Sequence, residues 1–94
     1  MAVDYFDRLA ETSVKDAIQQ LAAGGKRPTG RNVPPEATLL LARKTRSRLT
    51  EADADKRVLN AIERLKERKE IRAPKTPNAE WALVDHATEQ AAES

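Results

Sequence analysis

The stretch TEADADKRVLNAIERLKERKEIRAPKTPNAEWALV, residues 50–84, decides the fold of this chain because its hydrophobic period changes once along its length. Up to Lys69, apolar residues recur at intervals of three and four positions, which predicts a long amphipathic helix, Thr50–Lys69, with Thr50 as its N-cap. After it, Ile71–Ala73 and Trp81–Val84 are typical of two short strands joined by the turn residues PKTPN. This stretch therefore predicts a helix followed by a β-hairpin.

Two further helices are predicted upstream of this stretch. Ser13 followed by Asp16 is similar to a capping box, and the apolar spacing behind it indicates a helix that ends at Gly24–Gly25. Pro34 and Pro35 can begin a helix, and EATLLLARK after them predicts one over Glu36–Lys44.

The apolar spacing of Val3–Ala10 predicts a separate short amphipathic helix at the N-terminus. We therefore divide the chain into an N-terminal helix (1–12), one folded domain (13–85) and a polar C-terminal tail (86–94). The fold class expected is mainly α with a small β-hairpin. The N-terminal helix carries more apolar surface than so short a chain needs for its core, so we expect it to contribute to a homodimer interface.

The order helix, connector, helix, longer helix, hairpin over Ser13–Val84 resembles a winged helix-turn-helix domain. Within it, AIQQLAAGGKRPTGRNV (Ala17–Val33) resembles the opening of the plasmid-encoded DNA-binding family typified by KfrA. Members of that family continue into a helix after the Pro-Thr pair, whereas Gly30 and Pro34–Pro35 interrupt this chain. The resemblance implies a fold of three helices plus a hairpin wing, and binding to double-stranded DNA.

Charge is distributed unevenly along the chain. The formal net charge is +2, but residues 24–75 carry a net +8 between two acidic flanks. A polyanion responds to such a local concentration of positive charge rather than to the total for the chain. Aromatic residues make up only 3% of the sequence, too few for single-stranded nucleic acid to stack on.

The winged-helix interpretation assigns roles to particular residues. Helix 50–69 is expected to lie in the major groove and the 74–78 wing on the DNA backbone. The candidates for contacts with base edges lie on the side of that helix opposite its apolar stripe: Lys56, Arg57, Asn60 and Arg64. The candidates for phosphate contacts precede the helix or lie at the hairpin tip: Arg43, Lys44, Arg46, Arg48, Lys75 and Thr76.

A second interpretation is a winged-helix protein–protein interaction module, or a subunit of a larger assembly. Catalysis is not expected, because the chain has one histidine, no cysteine and no glycine-rich phosphate loop. We likewise expect no cofactor and no metal site. No apolar run is long enough to span a bilayer, and we expect a cytoplasmic protein without membrane contact.

Overall fold

The structure is a computed structural model that describes residues 4–76 and 78–84. Its elements, in chain order, are α1 (Tyr5–Ala23), α2 (Val33–Lys44), α3 (Glu51–Glu67), β1 (Ile71–Arg72) and β2 (Ala82–Leu83). The two strands are antiparallel and pair Ile71 with Leu83 and Arg72 with Ala82. The protein is therefore mainly helical with a small two-stranded sheet, which confirms the fold class at this level. The polar tail predicted over 86–94 lies outside the described residues.

The boundary predicted near Ser13 is wrong, because α1 runs without a break through that position. Asp4 is the N-cap: its side chain accepts a hydrogen bond from the Asp7 N–H, and the Asp7 side chain accepts one from the Asp4 N–H. Ser13 instead lies in the helix interior, where its hydroxyl donates to the Leu9 carbonyl at 2.7 Å. The N-terminal helix and the helix after Ser13 are consequently one element of 19 residues.

All three helices end in the same way. The first residue past each C-cap adopts a positive φ, at Gly25 (80°), Arg46 (53°) and Lys69 (59°). The next N–H then donates to a carbonyl five residues back, as Glu70 does to Leu65, and this completes a Schellman motif. Glycine adopts this conformation without strain, whereas arginine and lysine do so at a cost.

The core lies where the three helices meet, and one strand residue and one tryptophan close its end. Besides Ile71 and Trp81, it is built from aliphatic side chains on the helices: Ala10, Val14, Ala17, Ile18, Leu21, Val33, Ala37, Leu40, Leu41, Ala54, Val58, Ala61, Ile62 and Leu65. Leu9 packs against this core and Ala10 is fully buried. Part of the apolar side of the first helical turns therefore serves the protein's own core, whereas Tyr5 is 71% exposed, and a contribution of this helix to a dimer interface stays a prediction.

The hairpin is joined to the connector between α1 and α2. The Trp81 N–H donates to the Pro28 carbonyl at 2.8 Å, and the Trp81 ring packs on Gly30. The Val84 N–H donates to the Glu70 carbonyl at 3.0 Å, next to the end of α3. These contacts hold the connector, the end of α3 and the hairpin together at the same end of the molecule.

Candidate functional site

Ion pairs line the contact between α1 and α3, and we call this set the α1–α3 seam. It consists of Asp4, Asp7, Glu11 and Lys15 on α1 and its cap, and of Arg57, Arg64, Arg68 and Glu70 on or just after α3. The residue numbers of the paired groups increase together along α1 and α3, so the two helices are parallel neighbours.

Arginine donates most of the hydrogen bonds in the seam. Arg57 Nη1 lies 3.0 Å from Asp4 Oδ1 and 2.9 Å from Asp7 Oδ1, and the same guanidinium lies over the Phe6 ring. Arg64 Nε donates to Glu11 Oε2 at 2.9 Å, and Arg68 also donates to Glu11. At the far end, Lys15 Nζ lies 2.6 Å from Glu70 Oε1.

Three acids of the seam, Asp4, Glu11 and Glu70, are held in their charged form. The Asp7 N–H, and then Arg57, lower the pKa of the Asp4 carboxyl. Burial raises the pKa of Glu11, but the hydrogen bonds and charges of Arg68 and Arg64 outweigh it and the net shift is downward. Lys15 and then Arg68 lower the pKa of Glu70. The seam therefore stabilises the fold at neutral pH.

The four base-contact candidates do not share one open face. Arg57 and Arg64 point sideways toward α1 and are engaged in the seam, whereas Lys56 and Asn60 are exposed. The exposed side of α3 also carries two acids, Glu63 and Glu67, in the turns that follow Asn60. This face is therefore less positive than the sequence pattern suggests.

The segment before α3 is only partly free. Lys44 Nζ lies 2.7 Å from Asp16 Oδ2 on α1. Arg43, Arg46 and Arg48 are exposed, and no described residue forms an ion pair with them. We call these three residues the turn arginines.

A larger group of cations surrounds the hairpin, at the other end of α3. We call it the hairpin end and define it by six exposed residues: Lys26, Arg27, Arg31, Lys69, Arg72 and Lys75. Across residues 4–76 and 78–84, none of the six takes part in an ion pair. Since α3 has 17 residues, a distance of about 25 Å separates this group from the turn arginines.

The hairpin end is assembled from two distant segments of the chain. The Asn32 side chain orders the connector, since its Oδ1 accepts from the Thr29 N–H at 2.7 Å and its Nδ2 donates to the Arg27 carbonyl at 2.8 Å. The Trp81–Pro28 hydrogen bond then attaches the connector to the hairpin. The six cations are therefore held on a fixed framework.

A depression of about 450 Å³ separates the hairpin from α3. Lys75 and Thr76 line it from the hairpin, and Asn60 and Lys66 line it from α3. Lys66 lies 3.8 Å from Glu63, which is a weak, exposed pair. Trp81 closes one side, and its Nε1–H has no hydrogen-bond partner within the described parts of the chain.

The sequence pattern missed five of the six hairpin-end residues and named only Lys75. The KRPTGR segment is visibly basic, and the family resemblance itself covers it. What the sequence did not reveal is that this connector lies beside the hairpin, because the contacts of Trp81 with Pro28 and Gly30 join residues about fifty positions apart.

Comparison with family models, curated proteins and solved structures finds no match to this chain. In residues 4–76 and 78–84, no group of histidine, cysteine and carboxylate side chains is arranged to hold a metal ion. None of the helices described combines the length and the apolar character needed to cross a membrane.

Proposed function

We propose that this chain is a small protein that binds double-stranded DNA through its hairpin end. The observation that carries the proposal is the group of six exposed cations that two chain segments bring together there, none of which forms an ion pair with another described residue. Unpaired lysines and arginines can exchange their counterions for DNA phosphates without first breaking an ion pair within the protein.

The architecture that we propose is a winged helix-turn-helix. Three helices are followed by an antiparallel hairpin, and the connector at Pro28 is hydrogen-bonded to Trp81, just before β2. In this arrangement the hairpin is the wing, and Lys75 and Thr76 at its tip contact the backbone.

We propose a smaller contribution of α3 to DNA contacts than the sequence pattern predicts. Lys56 and Asn60 are free to meet base edges, and asparagine matches the paired donor and acceptor of adenine. Glu63 and Glu67 on the same side repel phosphate, and Arg57 and Arg64 are engaged elsewhere. We therefore propose that phosphate contacts supply most of the affinity, and that sequence preference is modest.

Fluorescence anisotropy with a random duplex, titrated at about 50 and 200 mM salt, tests the proposal. We expect affinity to fall steeply with salt, with a log–log slope of about −4 to −5 for five or so phosphate contacts. Binding that does not depend on salt, or no binding at the lower salt concentration, would leave the protein-interaction module as the better function.

Two triple variants locate the surface, and each removes three arginines. Arg27→Gln/Arg31→Gln/Arg72→Gln acts on the hairpin end, and Arg43→Gln/Arg46→Gln/Arg48→Gln acts on the turn arginines. We expect the first to make the slope shallower by about 2 to 3 and the second to change it by less than about 1. The reverse order would assign DNA binding to the turn arginines instead.

A further inference from the structure

The outward face of α2 carries a short pattern that neither the core nor the hairpin end uses. Glu36, Leu39 and Arg43 follow one another at helical spacing, so they lie in a row on that face. Leu39 is 55% exposed. Leu39 is therefore a large apolar side chain that projects between two opposite charges on an exposed helix face.

Beside this row, α2 and α3 leave an open groove of about 1010 Å³. Its walls are mainly apolar and include two small residues, Ala42 and Ala52, together with Leu49 and Pro35. The small side chains leave room beside Leu39 for a bulky side chain from another molecule. The groove therefore offers a recess next to a projecting leucine on the same surface.

The charges along the row are complementary to themselves. Glu36 lies three residues before Leu39, and Arg43 lies four residues after it. A two-fold rotation about an axis through the middle of the row therefore places Glu36 near the original position of Arg43, and Arg43 near that of Glu36. In an antiparallel pair of α2 helices each Glu36 faces the Arg43 of the other copy, to within about 1.5 Å along the axis. Neither charge has an ionic partner within residues 4–76 and 78–84, so both are available.

We propose that this face binds a second copy of the same chain, across a two-fold axis that passes close to Leu39. A two-fold interface requires a surface that complements itself, and the row Glu36–Leu39–Arg43 has that property. Leu39 of each copy enters the groove of the other beside Ala42 and Ala52. Asp55 on the α3 edge of the groove accepts from the Thr38 hydroxyl near the Glu36 end of the row, and it adds attraction for the incoming Arg43.

This interface is independent of the DNA-binding proposal. No hairpin-end cation lines the groove, so each copy keeps its hairpin end open to solvent. The interface also differs from the one expected from sequence, which placed the first helix in the contact. Dimerisation is measured without DNA, so its failure would leave the proposed DNA binding untouched.

Sedimentation equilibrium of the whole chain over about 1–100 μM tests the proposal. We expect the parent to approach twice its 10.4 kDa mass, and Leu39→Glu to weaken self-association by at least about tenfold. Leu59→Glu is the matched control, because Leu59 is 50% exposed but lies outside the groove. A parent that stays monomeric throughout, or equal losses in the two variants, would overturn the proposal.

Charge reversal tests the orientation of the two copies. Glu36→Arg and Arg43→Glu each place like charges face to face, and we expect each to weaken dimerisation by about three- to tenfold. The double variant restores opposite charges and should return to within about threefold of the parent. A double variant that is as weak as the worse single variant contradicts the antiparallel pairing. Both reversals oppose the helix dipole, so circular dichroism checks the fold of each variant.

Discussion

Arginine and lysine side chains differ in their role between the α1–α3 seam, where they form ion pairs, and the hairpin end, where they are exposed. In the α1–α3 seam, each cation faces a carboxylate of the same chain, and Glu11, with its side chain only 13% exposed, accepts from two arginines. At the hairpin end, the cations are exposed and face no acid within hydrogen-bonding distance in the described structure. The comparison shows that the positions of acids determine whether a cation stabilises the fold or remains available to a partner.

Removing the ring of Trp81 should have the largest effect on the hairpin end. Trp81 is 7% exposed and connects the hairpin to the connector at Pro28 and Gly30. We expect Trp81→Ala to lower the free energy of unfolding by about 3–5 kcal/mol, measured by urea denaturation. If the loss is below about 1 kcal/mol, the hairpin end is not a packed unit and its six cations are not held together.

Lowering the pH should weaken the ion pairs of the seam but should not change the charge of the hairpin-end cations. The folded-state pKa values of Asp4, Glu11 and Glu70 lie below their ordinary values of 3.8, 4.5 and 4.5. Their stabilisation is complete above those ordinary values and is lost as the pH falls through the lower folded-state values. We therefore expect the free energy of unfolding to be level near neutral pH and to decline below about pH 4.5.

The contribution of one seam residue can be isolated with Glu11→Gln. This variant keeps the shape of the side chain but removes the charge that Arg64 and Arg68 share. Its unfolding free energy at pH 7 should be about 1–2 kcal/mol lower than that of the parent. The gap should narrow at acid pH, where Glu11 of the parent also becomes protonated. A constant gap from pH 7 to pH 3 would mean that the charge of Glu11 is not what stabilises the seam.

The ends of the helices offer a smaller test. Lys69 and Gly25 occupy equivalent positions of two Schellman motifs, with φ of 59° and 80°. We expect Lys69→Gly to raise the free energy of unfolding by about 0.5–1 kcal/mol and Gly25→Ala to lower it by about 1 kcal/mol. Nothing lies within 4 Å of a Cβ built on Gly25, so the cost there is purely conformational. Lys69→Gly should also make the DNA salt slope shallower by slightly less than one.

Much of the fold could be predicted from sequence because local signals decide it. The apolar spacing placed α3, the proline pair and the helix-forming residues after it placed α2, and the change of period placed the hairpin. The start of α1 was missed because Ser13 and Asp16 have the composition of a cap. A serine inside a helix can satisfy its hydroxyl with the carbonyl four residues back, as Ser13 does, so composition alone does not mark a boundary.

The partners of the charged residues were harder to predict. Arg57 and Arg64 lie at the flank of α3, between its apolar stripe and its open face, and their acids are about fifty residues away in the chain. A signal was present, because Asp4, Asp7 and Glu11 repeat at helical spacing on α1, as Arg57, Arg64 and Arg68 do on α3. Two complementary stripes on different helices indicate a seam only when the helices are known to be neighbours.

The most direct test of the central claim compares two variants that each lose three arginines and thus the same charge. Arg27→Gln/Arg31→Gln/Arg72→Gln alters the hairpin end, and Arg57→Gln/Arg64→Gln/Arg68→Gln alters the seam. The measurement is the log–log salt slope of duplex binding, taken at neutral pH after circular dichroism shows that both variants are folded. We expect a slope shallower by about 2 to 3 for the hairpin-end variant and an unchanged slope for the seam variant. Equal changes in the two slopes would contradict this claim, because DNA would then be responding to total charge rather than to the exposed cations of the hairpin end.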